Sequence, residues 1–360
     1  MLRVSLSPRG RTRAALALSG LTLAGLTATP LASSLGVVGS SLLLSQPAQA
    51  QQSNEILLVS YAVTKAAYDQ IIPLFQADYR KRTGQSVTVR SSYGGSGSQT
   101  RAVIDGLPAD VVGLALAADV YKLQDKGLIN SGWEKEFPNQ SIITNSTVAL
   151  FVRPGNPKKI NGWADLDNKN VDVITANPKT SGGARWNFAA LWGAITQNGG
   201  SEDQARKFIT TVYRNVDVLP KDAREATDTF VKRNKGDVLL NYENEAILAR
   251  KTGEWTTPWR IPSPNIVIEG PIAVVDKNVD KKGSRKIAEA FARFLYTPTA
   301  QKIFVDNGFR PVTNEGKAYA QGKFPAVTTW RITKLGGWKV VDKKFFGKGA
   351  IWDQIFARTR

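Results

Sequence analysis

The chain has 360 residues and carries 48 Lys and Arg against 30 Asp and Glu, so its formal net charge is +18. It contains no His, no Cys and a single Met, at position 1. Without Cys and His it can form no disulfide, no thiolate or imidazole metal site and no Ser-His-Asp triad. The excess of positive charge favours an anionic partner, for which nucleic acid, an acidic membrane and a small anion are the candidates.

The first 50 residues have the pattern of a secretory signal peptide. Four arginines precede an uncharged stretch, residues 14–50, which is rich in Leu, Ala, Gly, Ser and Thr and ends in the small–x–small pattern Ala48-Gln49-Ala50. Pro30 interrupts this stretch, which disfavours the alternative of a permanent membrane-spanning anchor. Cleavage after residue 50 would remove four basic residues and no acidic one.

Beyond the leader, short apolar runs alternate with helical stretches. This alternation predicts an α/β protein with mostly parallel sheets, and the length favours two lobes over one. One helix, with Ala67, Tyr68, Ile71, Phe75 and Tyr79 on a single face, contains Pro73 and should kink there. The predicted strands are 56–59, 87–89, 110–115, 148–152, 171–174, 238–240 and 266–268, and further predicted helices are 184–196, 223–232, 243–250 and 285–296.

Four of the strand-to-helix junctions are rich in Gly and Ser or open directly into a helix: residues 60–62, 93–98, 177–183 and 221–224. A helix start offers unpaired N–H groups with partial positive charge, and glycine lets the backbone approach a ligand. Such a place binds phosphate, sulfate or carboxylate without a charged side chain. Each loop taken singly is also a common helix start, but four of them should converge on one crevice.

The nine residues 177–185, with the sequence NPKTSGGAR, match the signature of the prokaryotic sulfate-binding proteins, the periplasmic receptors of sulfate ABC importers. The chain resembles this family over nearly all of the exported part. The resemblance implies an α/β fold of two lobes, the class II periplasmic-binding-protein fold, with the ligand cleft between the lobes. Other matching segments follow in the family's order: 60–61, 94–97, 114–117, 186–187, 236–238, 243–246 and 310–311.

From the resemblance we expect the chain to be divided into four parts. Residues 1–50 are the signal peptide, 51–141 together with 268–325 form lobe 1, and 142–267 form lobe 2. The last part, 326–360, is a C-terminal segment that packs on the lobes. The family also implies a periplasmic monomer that delivers sulfate to a membrane ABC permease.

The resemblance further implies that sulfate is held by neutral donors alone. Two arginines next to the donors, Arg185 and Arg224, would stay behind the ligand contacts, with Asp119 as the partner of Arg185. The implied donors are the backbone N–H groups of Ala62, Ser96, Gly182, Gly183 and Ala223, the hydroxyl of Ser181, and the side chain of Tyr242.

The chain departs from the family pattern at two of the implied donors, and also at Arg80, a usual Lys, and Ser91, a usual Gln. The best-known members have a Trp indole where this chain has Tyr242, and an acidic residue before proline where it has Ala62-Val63. Sulfate without a proton only accepts hydrogen bonds, so a pocket of donors favours it over hydrogen phosphate. A phenol can also accept a hydrogen bond, which leaves thiosulfate or another tetrahedral oxyanion as an alternative ligand.

Other classes of function fit the sequence less well. A nucleic-acid binder would explain the charge, but the basic residues are spread thinly and no binding module is present. A secreted hydrolase of anionic esters would need paired carboxylates, and Glu243 and Glu245 are two apart on a predicted helix, where they point to different sides. We therefore predict a receptor without catalysis, metal, cofactor or nucleic-acid binding.

Overall fold

The computed structural model describes residues 53–256 and 259–359, which lie within one compact unit. The predicted signal peptide lies outside the described residues. Within the described ranges, no helix has the length and apolar character needed to cross a membrane.

Within residues 53–256 and 259–359, ten strands form two mixed sheets and a two-stranded pair. The larger sheet has the order β2-β1-β3-β9-β4, the smaller has the order β5-β7-β6, and β8 pairs with β10. The strands are β1 (Glu55–Tyr61), β2 (Thr88–Gly94), β3 (Val111–Gly113), β4 (Ile142–Ser146), β5 (Val148–Val152), β6 (Val173–Ile174), β7 (Val238–Tyr242), β8 (Asn265–Ile266), β9 (Ile268–Val274) and β10 (Thr329–Trp330).

Helices cover both sheets. They are α1 (Lys65–Thr83), α2 (Ser96–Ile104), α3 (Ala117–Asp125), α4 (Pro138–Ser141), α5 (Gly182–Thr196), α6 (Glu202–Arg214), α7 (Ala223–Val231), α8 (Glu243–Lys251), α9 (Asp276–Lys282), α10 (Arg285–Phe294), α11 (Pro298–Asp306), α12 (Asn314–Tyr319), α13 (Gly337–Val341) and α14 (Ile351–Ala357). Short 3₁₀ turns lie at Ala62–Thr64, Trp133–Lys135, Trp163–Asp167 and Ile332–Leu335, and a π turn at Asp342–Phe346. Within α4, Asn139 and Gln140 adopt left-handed backbone angles.

The sheets are less parallel than the sequence predicts. Strands β2, β1 and β3 are parallel and so are β6 and β7, but β9 runs antiparallel to both β3 and β4, and β5 antiparallel to β7. The chain passes from the larger sheet to the smaller one between β4 and β5, and it returns through β9. A parallel strand requires a helical crossover, and the direct return through β9 has none.

The predicted apolar face of α1 lies in the core, where Ala67, Tyr68, Ile71 and Phe75 are buried. Pro73 is an exposed residue inside this helix, and the kink expected there stays a prediction. The division into lobes at the stated residues also stays a prediction. Strand β4 begins at residue 142, where lobe 2 was predicted to start, and it pairs with β9 in the larger sheet.

Candidate functional site

Each predicted donor lies at a helix start, and all of these starts except that of α7 follow a strand. Helix α7 follows α6, so the strand-to-helix junction predicted at residues 221–224 is instead a connection between two helices. Ala62 opens the 3₁₀ turn after β1, Ser96 opens α2 after β2, and Ala223 opens α7. Ser181 precedes α5, whose first residues are Gly182 and Gly183, and Tyr242 ends β7 immediately before α8. The first N–H groups of a helix have no carbonyl one turn earlier, so these starts present free donors.

All seven predicted donor residues line one pocket between the two sheets, with a cavity volume of about 10 Å³. A single water needs roughly 10–15 Å³ of such volume and drug-sized ligands occupy pockets of roughly 300–1,000 Å³, so this pocket suits only a very small ligand such as an ion of a few atoms. Among the described residues that line it, Asp222 is the only charged one. The structure thus gathers the predicted donors, while ligand binding by them stays a prediction. The other lining residues are Tyr61, Val63, Gly94, Gly95, Ala115 and Asp222.

The loops on the two sides of this pocket touch through their backbones. The N–H groups of Gly97 and Ser98, in α2, donate to the carbonyl of Thr180 at 3.0 and 3.3 Å. A Cβ on Gly95 would lie 2.5 Å from the same carbonyl oxygen, so the residue there has no room for a side chain. The cleft is therefore closed over the pocket.

The two serines of the site use their hydroxyls differently. Ser96 Oγ donates to Asp119 Oδ2 at 2.7 Å and accepts from the N–H of Ala115 at 3.0 Å, so its backbone N–H is what remains for a ligand. Ser181 Oγ accepts from the N–H of Ala184 at 3.3 Å and caps α5. Its own proton is still available for donation.

Tyr242 is 2% exposed, and within the described part of the chain its hydroxyl has no hydrogen-bond partner. Burial raises the pKa of this phenol well above its usual range, so the group stays neutral and able to donate. A buried polar group without a partner is unusual in a folded protein. Because Tyr242 lines the pocket, its hydroxyl is free to donate to an acceptor there.

Arg185 is buried behind the pocket rather than in its lining. Its Nη1 lies 3.4 Å from Asp119 Oδ1 and 2.8 Å from Asp342 Oδ1, and its Nε donates to the carbonyl of Pro178 at 2.9 Å. The contact with Asp119 is the one that the family resemblance implies. Sequence reasoning missed Asp342, which lies 157 residues further along the chain, and also Asp222, whose carboxylate caps α7 by accepting from Glu225 N.

Arg224 also stays outside the lining of the pocket. Its guanidinium lies 3.3 Å from Glu245 and 2.9 Å from Glu254. Burial raises the pKa of Glu245, while the charge of Arg224 and a hydrogen bond from Thr227 act in the opposite direction.

The carboxylates considered for catalysis are both held in ion pairs. Glu243 is fully buried and bonds to Arg310 at 2.6 and 2.9 Å, and Glu245 is fully buried beside Arg224. Among the described residues, no group of three or more acidic side chains is placed to hold a metal ion.

Two α/β halves that close helix starts around one small pocket define a solute-binding protein with the periplasmic-binding-protein fold. Residues 56–310 match the family model of the bacterial extracellular solute-binding proteins, and the chain belongs to that family.

Individual relatives narrow the comparison. The chain is 55% identical to the sulfate-binding protein of Synechococcus elongatus, over 84% of this chain and 87% of the relative. It is 39% identical to the thiosulfate-binding protein of Pseudomonas aeruginosa, over 90% and 98% respectively. The solved structure of the sulfate-binding protein SubI from Mycobacterium tuberculosis is similar with a TM-score of 0.74 and 37% identity, covering 81% of this chain and 99% of that one.

Proposed function

We propose that the protein is an exported receptor that binds one sulfate ion in the pocket lined by Ala62, Ser96, Ser181, Gly182, Gly183, Ala223 and Tyr242. The observation that carries this proposal is the convergence of five helix starts on a small pocket whose described lining contains no basic side chain. Backbone N–H groups at helix starts stabilise an anion without a counter-ion.

The donor set supports sulfate over hydrogen phosphate. Fully deprotonated sulfate accepts hydrogen bonds and donates none, whereas hydrogen phosphate brings a proton that needs an acceptor. The raised pKa of Tyr242 keeps its phenol a donor at neutral pH. Relatives that carry the name sulfate-binding protein, at 42–55% identity over most of the chain, support the same ligand.

Thiosulfate is the second candidate ligand. It is also a small tetrahedral dianion, and a relative at 39% identity is a thiosulfate-binding protein. The phenol of Tyr242 differs from an indole in reach, and its oxygen can accept as well as donate a hydrogen bond. Both differences affect the preference between sulfate and thiosulfate.

A receptor role accounts for the buried carboxylates better than catalysis does. Glu243 and Glu245 are engaged by Arg310 and Arg224, so neither is a free acid or base at an open site. We propose that the protein works as a periplasmic monomer, closes its two lobes over the anion and hands it to a membrane ABC permease. The chain belongs to the bacterial extracellular solute-binding proteins, which supports an exported location and a role in binding a solute.

Calorimetric titration of the chain without residues 1–50 tests the proposal. Sulfate, thiosulfate, hydrogen phosphate and molybdate are compared at one ionic strength, because free charges are screened by salt. We expect one ion per chain, with sulfate bound tightest and phosphate about 30- to 150-fold weaker, which corresponds to a missing hydrogen-bond match of about 2–3 kcal/mol. Equal affinity for sulfate and phosphate would contradict the donor-only site.

A further inference from the structure

The C-terminal segment, residues 326–360, packs mainly on α5 and α6. These two helices belong to the half of the protein that contains the smaller sheet. The ring of Trp338 lies edge-on to Trp186 in α5 with 4.5 Å between centroids, and Phe345 lies 4.7 Å from Trp192 in the same helix. Because α5 is buried on nearly every side, these aromatic contacts belong to the core. We therefore expect residues 338–345 to stay with α5 when the cleft opens.

One edge of the segment reaches across to α3, a helix of the other half. The Nζ of Lys339 lies 4.4 Å from the centroid of the Tyr121 ring, and Asp342 Oδ1 lies 3.4 Å from Lys122 Nζ. Helix α3 is fixed to the larger sheet, since its Val120 packs in a buried cluster with residues of β1, β3 and β9. Asp342 thus makes a contact between the two halves.

Asp342 belongs to a network of two acidic and two basic side chains directly behind the pocket. It lies 2.8 Å from Arg185, and Asp119 lies 3.4 Å from Arg185 and 3.3 Å from Lys122. Asp119 in turn accepts a hydrogen bond from the hydroxyl of Ser96, which is one of the residues that line the pocket. The network therefore connects the C-terminal segment to the start of α2 through charge-assisted contacts.

We propose that Asp342 is a positioning residue that holds the cleft closed around the bound anion and slows its release. This inference rests on the proposed function. Opening the cleft separates Asp342 from Lys122 and Arg185 from Asp119, so these contacts stabilise the closed state alone. A ligand that is enclosed only in the closed state gains affinity from any interaction that favours that state.

A purely structural role for Asp342 predicts a different result. In that case it only neutralises Arg185 within its own half, and its loss would lower the stability of the ligand-free protein without changing ligand release. A positioning role changes the dissociation rate of the anion and leaves the ligand-free melting temperature nearly unchanged, because the side chain is 27% exposed and not part of the apolar core.

The experiment measures sulfate affinity, sulfate dissociation rate and ligand-free melting temperature for Asp342→Asn, Asp342→Glu and the parent protein. Tryptophan fluorescence in stopped flow follows release, since the indole N–H of Trp186 donates to the carbonyl of Ala115 across the cleft at 2.7 Å and loses this contact on opening. We expect Asp342→Asn to dissociate about five- to tenfold faster and to bind correspondingly weaker, and Asp342→Glu to recover most of the loss. Lys122→Gln should have a smaller effect that does not add to that of Asp342→Asn.

Lys344→Gln is the matched control. Lys344 pairs with Glu202 of α6, so it also ties the C-terminal segment down, but within one half. It should leave the sulfate dissociation rate unchanged. The inference is overturned if Asp342→Asn releases sulfate at the parental rate, or if only its melting temperature falls. Should the parent bind no oxyanion, the proposed function is wrong. The positioning role is then tested by small-angle scattering without anion, where an equal radius of gyration for the parent and Asp342→Asn overturns it.

Discussion

The hydroxyl of Tyr242 lies directly over Gly183. A Cβ placed on Gly183 would lie 2.7 Å from Cε2 of the Tyr242 ring and 3.0 Å from its hydroxyl oxygen. The absence of a side chain at 183 therefore allows the phenol to reach the first turn of α5. Its hydroxyl and the N–H groups of that turn line the same pocket.

Gly183→Ala should weaken sulfate binding about tenfold or more, because the added methyl forces the buried Tyr242 ring to move. Overpacking of this kind costs about 1–3 kcal/mol. Titration calorimetry measures the loss. Gly162→Ala is the control, since a Cβ at Gly162 meets no atom within 4 Å and its backbone is extended. Parental affinity in Gly183→Ala would contradict the position proposed for the phenol.

Gly182→Asp should abolish binding. A side chain there meets Leu116 Cδ2 at 2.3 Å and Ala115 Cβ at 2.6 Å, on the opposite side of the cleft, and a carboxylate adds repulsion of the anion. Gly182→Ala separates the two causes, because it keeps the steric block without the charge. We expect Gly182→Ala to bind measurably but weakly in the same calorimetric assay. Normal affinity in Gly182→Asp would show that the anion binds elsewhere.

Tyr242→Phe should lower sulfate affinity about tenfold, the worth of one hydrogen bond to a charged group. The melting temperature of the ligand-free protein should not fall, because the hydroxyl has no partner among the described residues. Tyr296→Phe is the matched control, since its hydroxyl is also buried without a described partner but does not line the pocket.

The same phenol predicts how affinity depends on pH. Its pKa is raised well above the usual 10, so the donating form persists as the pH rises. Sulfate affinity should thus be the same at pH 7 and pH 9.5 at constant ionic strength. A tenfold loss over that interval, present in the parent and missing in Tyr242→Phe, would show that the phenol ionises.

Glu136, which lies away from the pocket, makes the free energy of unfolding depend on pH. Burial, with a smaller contribution from Asp276, raises the pKa of its carboxyl to about 7. The folded state therefore holds this proton more tightly than the unfolded chain, and the associated stability is complete below about pH 4.5 and is lost as the pH rises through 7.

Glu136→Gln removes this loss because an amide does not ionise. The variant should be about 1 kcal/mol more stable than the parent at pH 8, after allowance for solvent screening at a partly exposed side chain, and equal to it at pH 4.5. Thermal unfolding at both pH values measures the difference. Glu315→Gln, at an exposed position of α12, is the control. A constant offset between Glu136→Gln and the parent at the two pH values would contradict the raised pKa.

Much of the fold follows from local patterns. The runs at 56–59, 148–152 and 238–240 lie within β1, β5 and β7, and the helix predicted over 184–196 lies within α5. The aromatic residues Trp186 and Trp192, interpreted from their spacing as core, are buried. These elements could be predicted from the sequence because hydrophobic periodicity and helix starts depend on residues close together in the chain. The direction of β9 could not be predicted from the sequence, because it depends on which sheet the chain re-enters.

The site divides in the same way. The stretch 177–185 is contiguous, so its glycines, its capping serine and its resemblance to a known family could be read directly. The excess of Lys and Arg in the sequence did not show how an anion is bound, since the described lining of the pocket contains no Lys or Arg. Surplus basic residues are left to steer a dianion toward the cleft, an effect that salt screens.

By itself, the sequence determined the α/β class, the helix starts that present free N–H groups and the exclusion of Cys and His chemistry, because these depend on composition and on residues close in the chain. Only the tertiary structure decided that the starts meet at one pocket, that Tyr242 lies against Gly183 and that Asp342 joins Arg185. Contacts between residues far apart in the chain depend on how the sheets and the C-terminal segment pack, and packing is a property of the whole folded chain.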